Sequence, residues 1–249
     1  MYFQFNKRNL YIILVILLFL TIINLGSFNL VSTLLTLPGV ILAISFHEFA
    51  HAFAADRLGD STPRNQGRLS LDPMKHLDPV GIFLLVFAHI GWGKPVQINT
   101  NNFSKVSPSK EKTIVSLAGP AMNFILAFVL MIIFYTILLF VPEAGIMFML
   151  SGASPINILM TMLYYAIIVN IGLGVFNLIP IPPLDGSKIF LKVLPYRAKR
   201  WIDENMQMIS LIFLLLFVTG VLGYITSPVI TIVLNGMQKV VATIFSIFI

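Results

Sequence analysis

Apolar runs of membrane-spanning length are the feature that most constrains this chain. Windows of about 17–25 mainly apolar residues occur at 9–25, 31–55, 114–141, 156–179, 208–225 and 229–248. These runs are too long and too unalternating for barrel strands. The expected fold is therefore an all-α integral membrane protein with about six transmembrane helices. Composition agrees, since 57% of the 249 residues are hydrophobic and only 10% are charged, against about 25% charged in soluble domains. The length suits one membrane-embedded domain over 1–249, with little room for an appended soluble one. Another apolar piece, 80–92, is too short to cross and contains Gly81 and Gly91, so it reads as a re-entrant or interfacial hairpin. Lys7 and Arg8 precede the first run without a small-residue cleavage site after it, which reads as a retained signal anchor.

Basic residues set an orientation. With the N-terminus in the cytoplasm, Lys7, Arg8, the cluster from Arg57 to Lys112 and the cluster from Lys188 to Arg200 all fall inside. All but one of the 16 basic residues are then cytoplasmic, and the opposite loops carry none. The rule that Lys and Arg stay inside predicts both termini in the cytoplasm. The exception is Lys239, within the last run, which can snorkel or face the bundle. The net charge of +6 thus reflects topology, and no nucleic-acid partner is expected.

The chain has no cysteine, which excludes disulfides and thiolate zinc sites. A metal would be held by His, Asp or Glu. His47-Glu48-Phe49-Ala50-His51 lies near the end of the second run. A spacing of four puts both imidazoles on one helix face, about one turn apart, within reach of a single zinc ion. Glu48 is offset and can take a proton from a water that the ion polarises. His51 and His47 lie roughly 8 and 14 Å inside the cytoplasmic end of that run, at about 1.5 Å per residue. Ionisable groups at such depth are costly and normally mark function.

Two histidines leave a catalytic zinc site incomplete, because three protein ligands are usual. The candidates are His76, His89 and a carboxylate, Asp185 above all. Asp185 follows Asn177-Leu178-Ile179-Pro180-Ile181-Pro182-Pro183-Leu184. Three prolines in four residues cannot continue a helix, so the fourth run should unwind at its cytoplasmic end. Broken backbone is tolerated there if it lines a cavity. Asp185 then reaches the same side of the membrane as His51.

H-E-x-x-H on one membrane helix, joined later by N-x-x-P-x-P-P-L-D-G, resembles the site-2 protease family of intramembrane zinc metalloproteases. The likeness covers residues 31–192. It implies one zinc ion per chain, held by His47, His51 and Asp185, with Glu48 as catalytic base. Gly119-Pro120-Ala121-Met122-Asn123 resembles the family's G-P-x-x-N, which implies that Asn123 and Asn177 line the active-site region. Arg68-Leu69-Ser70-Leu71-Asp72-Pro73 and Gly91-Trp92-Gly93-Lys94-Pro95-Val96 resemble segments that form a small membrane-associated sheet after the second helix. The chain looks like a compact six-span form, unlike members that carry PDZ or CBS domains.

The leading expectation is an endopeptidase that cuts within or near transmembrane segments of other membrane proteins, in a prokaryotic plasma membrane. A zinc or ion transporter could use the same ligands, but transport gives no reason for Glu48. A non-catalytic membrane scaffold is a further alternative, against which the intact ligands and Glu48 weigh. Substrate identity and oligomeric state are not legible in the residues.

Overall fold

The computed structural model describes residues 29–88, 91–105, 107–141, 143, 145 and 154–246. The expected first span at 9–25 lies outside them. Helix α1 (Leu30–Arg57) begins at Asn29, whose side chain accepts from the Ser32 amide. Such a cap satisfies one of the orphan donors of the first turn. Two short helices, α2 (Thr62–Asn65) and α3 (Pro73–His76), and the apolar α4 (Pro79–Ala88) follow. An extended segment then leads to a 3-10 turn at Thr100–Asn102. The long α5 (Pro108–Phe140) and α6 (Pro155–Asn177) both start on a proline, which suits a first-turn position whose N–H has no partner. A broken stretch leads into α7 (Asp185–Phe190), then α8 (Tyr196–Glu204), α9 (Met206–Val218) and α10 (Val221–Phe245).

Four of these helices are long and apolar enough to cross a membrane: α1, α5, α6 and α10. The expected spans 31–55, 114–141 and 156–179 coincide with the first three to within a few residues. The last two expected spans differ. The chain breaks at Gly220, whose φ of 75° is left-handed, rather than at the Ser-Pro pair 227–228. Pro228 lies inside α10. As a result α9 has only 13 residues, about 20 Å of helix at 1.5 Å per residue. Lys239 is exposed on α10 and faces away from the bundle.

The expected β segment is reduced in the described residues to one isolated antiparallel bridge, Leu77 with Gly93. Pro73, Pro79 and Pro95 supply no ladder donor. Stretch 80–92 is largely the helix α4.

Helices α1, α5 and α6 form the centre. Ala127, Leu130 and Met131 of α5 pack against Ala166, Ile167, Ile171 and Val175 of α6, with Val241 of α10 closing the cluster. The α1 face is made of small residues. A Cβ on Gly39 would lie 2.6 Å from the Ala166 Cα, so the helices approach more closely than an alanine allows. Outward positions such as Val31, Leu34, Ile125, Ile133 and Ile232 are exposed and apolar, as a hydrocarbon solvent requires.

Candidate metal centre

Helices α1 and α5 meet antiparallel across the His-Glu-x-x-His turn. His47 and His51 are buried on one face of α1, with their rings edge to face at 4.6 Å and their Nε2 atoms 3.0 Å apart. From α5, Val115, Gly119 and Asn123 recur every fourth residue and so share one helix face. His51 Nδ1 lies 2.7 Å from the Val115 carbonyl, and His47 Nδ1 lies 2.6 Å from Asn123 Oδ1. Gly119 sits between them, where a Cβ would lie 2.5 Å from His51 Nε2. The glycine is what lets α5 press against the imidazole pair.

Asp185 is delivered from the far side. Helix α6 ends at Asn177, and the proline-broken stretch turns the chain back so that α7 opens on Asp185. Its Oδ2 is 2.9 Å from His51 Nε2 and 3.2 Å from His47 Nε2. Its other oxygen, Oδ1, accepts from Lys188 Nζ at 2.8 Å. Gly186 packs against the Leu178 carbonyl with no space for a side chain, which closes the turn.

The tautomers follow from the partners. A carbonyl oxygen only accepts, so Nδ1 of His51 carries its proton. Asn123 Nδ2 donates to the Ala43 carbonyl at 3.0 Å, which fixes Oδ1 as the atom facing His47; Nδ1 of His47 is therefore also the donor. In the neutral rings both Nε2 atoms are lone pairs. Two lone pairs and a carboxylate oxygen thus converge with no proton between them. All three ligand atoms lie within 4.8 Å of one another. That donor set fits a divalent cation, and orienting the ring through its other nitrogen is how metal-binding histidines are held.

The comparisons with known proteins agree with this geometry. Residues 35–221 match peptidase family M50, the site-2 protease family. This chain belongs to peptidase family M50. The M50 chain is 36% identical over 208 residues to "Putative zinc metalloprotease YwhC" of Bacillus subtilis (strain 168), covering 83% of this chain and 90% of that one. It is 31% identical over 196 residues to "Putative zinc metalloprotease Rip2" of Mycolicibacterium smegmatis, covering 76% and 69%. Rip2 of Mycobacterium tuberculosis (strain H37Rv) is similar at 31% over 195 residues, covering 76% and 68%. No solved structure matches.

The remaining expected site residues of the M50 chain are placed as follows. Glu48 is half-buried, and its Oε2 accepts from the Val96 amide at 2.8 Å. His76 is buried away from the cluster, with Nε2 2.5 Å from the Ser70 carbonyl. Burial lowers its pKa, opposed by that hydrogen bond and assisted by nearby Arg68. His89 lies outside the described residues. Asn177 donates to Leu173 of its own helix at 3.0 Å, whereas Asn123 touches His47. Asn170 was not singled out by the motifs. It is fully buried on α6, and its Oδ1 accepts from Asn123 Nδ2 at 3.1 Å. Its signal in the sequence is an amide in the middle of an apolar span, where polar groups are expensive.

Proposed function

We propose that this M50 protein is a zinc endopeptidase that hydrolyses peptide bonds within or near transmembrane segments of membrane proteins. The observation that carries this reading is the convergence of His47, His51 and Asp185, with Glu48 next to His47 in the chain. Zinc, when bound, would supply Lewis-acid polarisation of the water and of the scissile carbonyl. His47 and His51 would hold the ion through Nε2, their Nδ1–H groups tied to Asn123 and the Val115 carbonyl. Asp185 would complete the set through Oδ2, its other oxygen accepting from Lys188. Glu48 takes the proton of the attacking water and passes it to the leaving amine. Asn123 and Asn177 are candidates for lining the site. A helical substrate hides its own backbone groups, so it must open locally. The chain at 68–96 could then pair with it as an added strand, and Gly, Pro or polar residues in the substrate span would make opening easier.

The reading includes two further crossings, by 9–25 and by the apolar stretch of α9 (Met206–Val218), with both termini in a prokaryotic cytoplasm. Membrane-protein substrates and lipid are the partners it implies.

The test is purification in detergent and metal analysis, with cleavage of a membrane substrate before and after chelation. One zinc per chain is expected, with activity lost to the chelator and restored by zinc. Full activity in metal-free protein would overturn the reading. Glu48→Gln should serve as a trap in native membranes, retaining substrates that co-purify. Zinc transport that survives this substitution would favour a transporter instead.

A further inference from the structure

The extended segment after α4 runs along α1 and touches it in register. A Cβ on Gly93 would lie 2.7 Å from Ile44 Cγ2. Three residues on, the Val96 amide donates to Glu48 Oε2 at 2.8 Å. Ile98 packs against the small buried cluster of Ala55, Phe103 and Val115, next to the lower end of the helix. The Asn99 amide then donates to Asp60 Oδ2 at 2.7 Å, just past the helix end. Contacts therefore descend α1 from 44 to 48 and reach Asp60 just past its end while the segment advances from 93 to 99.

Both ends of the segment are pinned. At the first, the Lys94 amide donates to the His76 carbonyl at 2.7 Å, and Arg68 donates to the carbonyls of Lys94 and Lys75. At the second, Asp60 is fully buried and also accepts from the Thr62 amide at 3.1 Å, the Thr62 hydroxyl at 2.6 Å and Asn102 Nδ2 at 3.0 Å. A carboxylate with four donors is a rigid post.

We propose that the Val96 amide is the positioning group for Glu48, and that Arg68 and Asp60 are the residues that hold it there. A glutamate has three rotatable side-chain bonds, and on the helix alone its carboxylate would sample several directions. An amide donor on Oε2 selects one of them and leaves Oε1 to accept a proton. A hydrogen bond to a charged group is among the stronger ones, and catalytic geometry depends on such support. This inference rests on Glu48 acting as the base.

Hydrogen exchange at the Val96 amide and kinetics test it together. Glu48→Ala should speed Val96 exchange by at least about 10-fold, while Lys94 exchange stays unchanged. Asp60→Ala should speed exchange at both Asn99 and Val96 with Glu48 intact. Unchanged Val96 exchange in both variants overturns the proposal, whatever the activity. For kinetics, the probe is a donor–quencher peptide with a Leu-Ala transmembrane segment and a central Gly-Pro pair. Val96→Pro, which removes the N–H, should lower kcat roughly 10–100-fold, with KM and zinc content held. Val96→Ala, which keeps the N–H, should lose at least about 10-fold less. Equal kcat for Val96→Pro and wild type, at matched zinc, also overturns it. If Glu48→Gln keeps its kcat, or the wild type leaves the peptide intact, the failure belongs to the proposed function, and exchange still decides whether the segment holds Glu48.

Discussion

Asn123 on α5 faces His47 on α1 at 2.6 Å and fixes which nitrogen of that ring is protonated. The same amide donates to the Ala43 carbonyl and to Asn170, so three helices set one imidazole. Asn123→Leu should keep the helices and weaken zinc binding by about 10–100-fold, the usual effect of losing a ligand's orienting partner. Competition with a chelator of known affinity measures it. Unaltered affinity would show that the ring needs no such support.

Asn170 acts one step further out and should matter less. Asn170→Leu leaves the buried Asn123 Nδ2 with one acceptor instead of two, a loss of roughly 1 kcal/mol. Zinc affinity should fall, by less than in Asn123→Leu, and thermal stability should fall slightly. An Asn170→Leu protein that loses all its zinc would mean that α6 controls the site more directly than the hydrogen bonds indicate.

Gly119→Ala should open the α1–α5 contact at the imidazoles. Its Cβ would lie 2.5 Å from His51 Nε2 and 2.7 Å from His47 Nε2, closer than any real contact. The rings or α5 must shift by several tenths of an ångström. Lower zinc occupancy at an unchanged far-UV circular dichroism spectrum is the expected result; wild-type occupancy would mean that the helices yield freely there.

The third ligand can be separated from the other histidines. Asp185→Ala should lower zinc occupancy and abolish cleavage, because Oδ2 lies within 3.2 Å of both Nε2 atoms. His76→Ala should retain zinc, because its Nε2 is held by the Ser70 carbonyl and the converging ligand atoms are those of His47, His51 and Asp185. Zinc titration at matched thermal melts distinguishes them. An empty site in His76→Ala, with a full one in Asp185→Ala, would reverse the assignment.

Acid should weaken the anchor at Asp60. Burial raises its pKa, but hydrogen bonds from Thr62, Asn102 and Asn99 outweigh that and hold it below the usual value. A depressed carboxylate stabilises the fold above its unfolded value near 3.9, and the contribution is lost as pH falls through the folded value. The difference in melting temperature between wild type and Asp60→Asn should therefore be full at neutral pH and shrink below about pH 4. A constant difference across that range would count against the carboxylate's role.

Much of the site could be read along the chain. A spacing of four places His47 and His51 on one face whatever the helix packs against, and three prolines in 180–183 must end α6 before Asp185. Less could be read where a residue's partner is distant. Asn177 and Asn123 looked alike within their motifs, yet one bonds to its own helix and the other to a metal-site ring. Ser227-Pro228 looked like a loop, but Pro228 is carried inside α10 and the turn falls at Gly220. Apolar windows cannot distinguish a proline that stops a helix from one that is tolerated within it.

Local covalent geometry and the solvent thus determined, from sequence alone, that helices cross a membrane and that two imidazoles and a carboxylate share one turn. Only the tertiary structure decided what surrounds them. Asp185 joins His47 across 138 positions, Gly119 admits α5, Asn170 backs Asn123, and Val96 reaches Glu48 across 48 positions. None of these pairs has a periodicity, because each arises where separate elements happen to pack. Small residues such as Gly39 and Gly119 set how closely those elements approach, and that approach decides which polar groups meet.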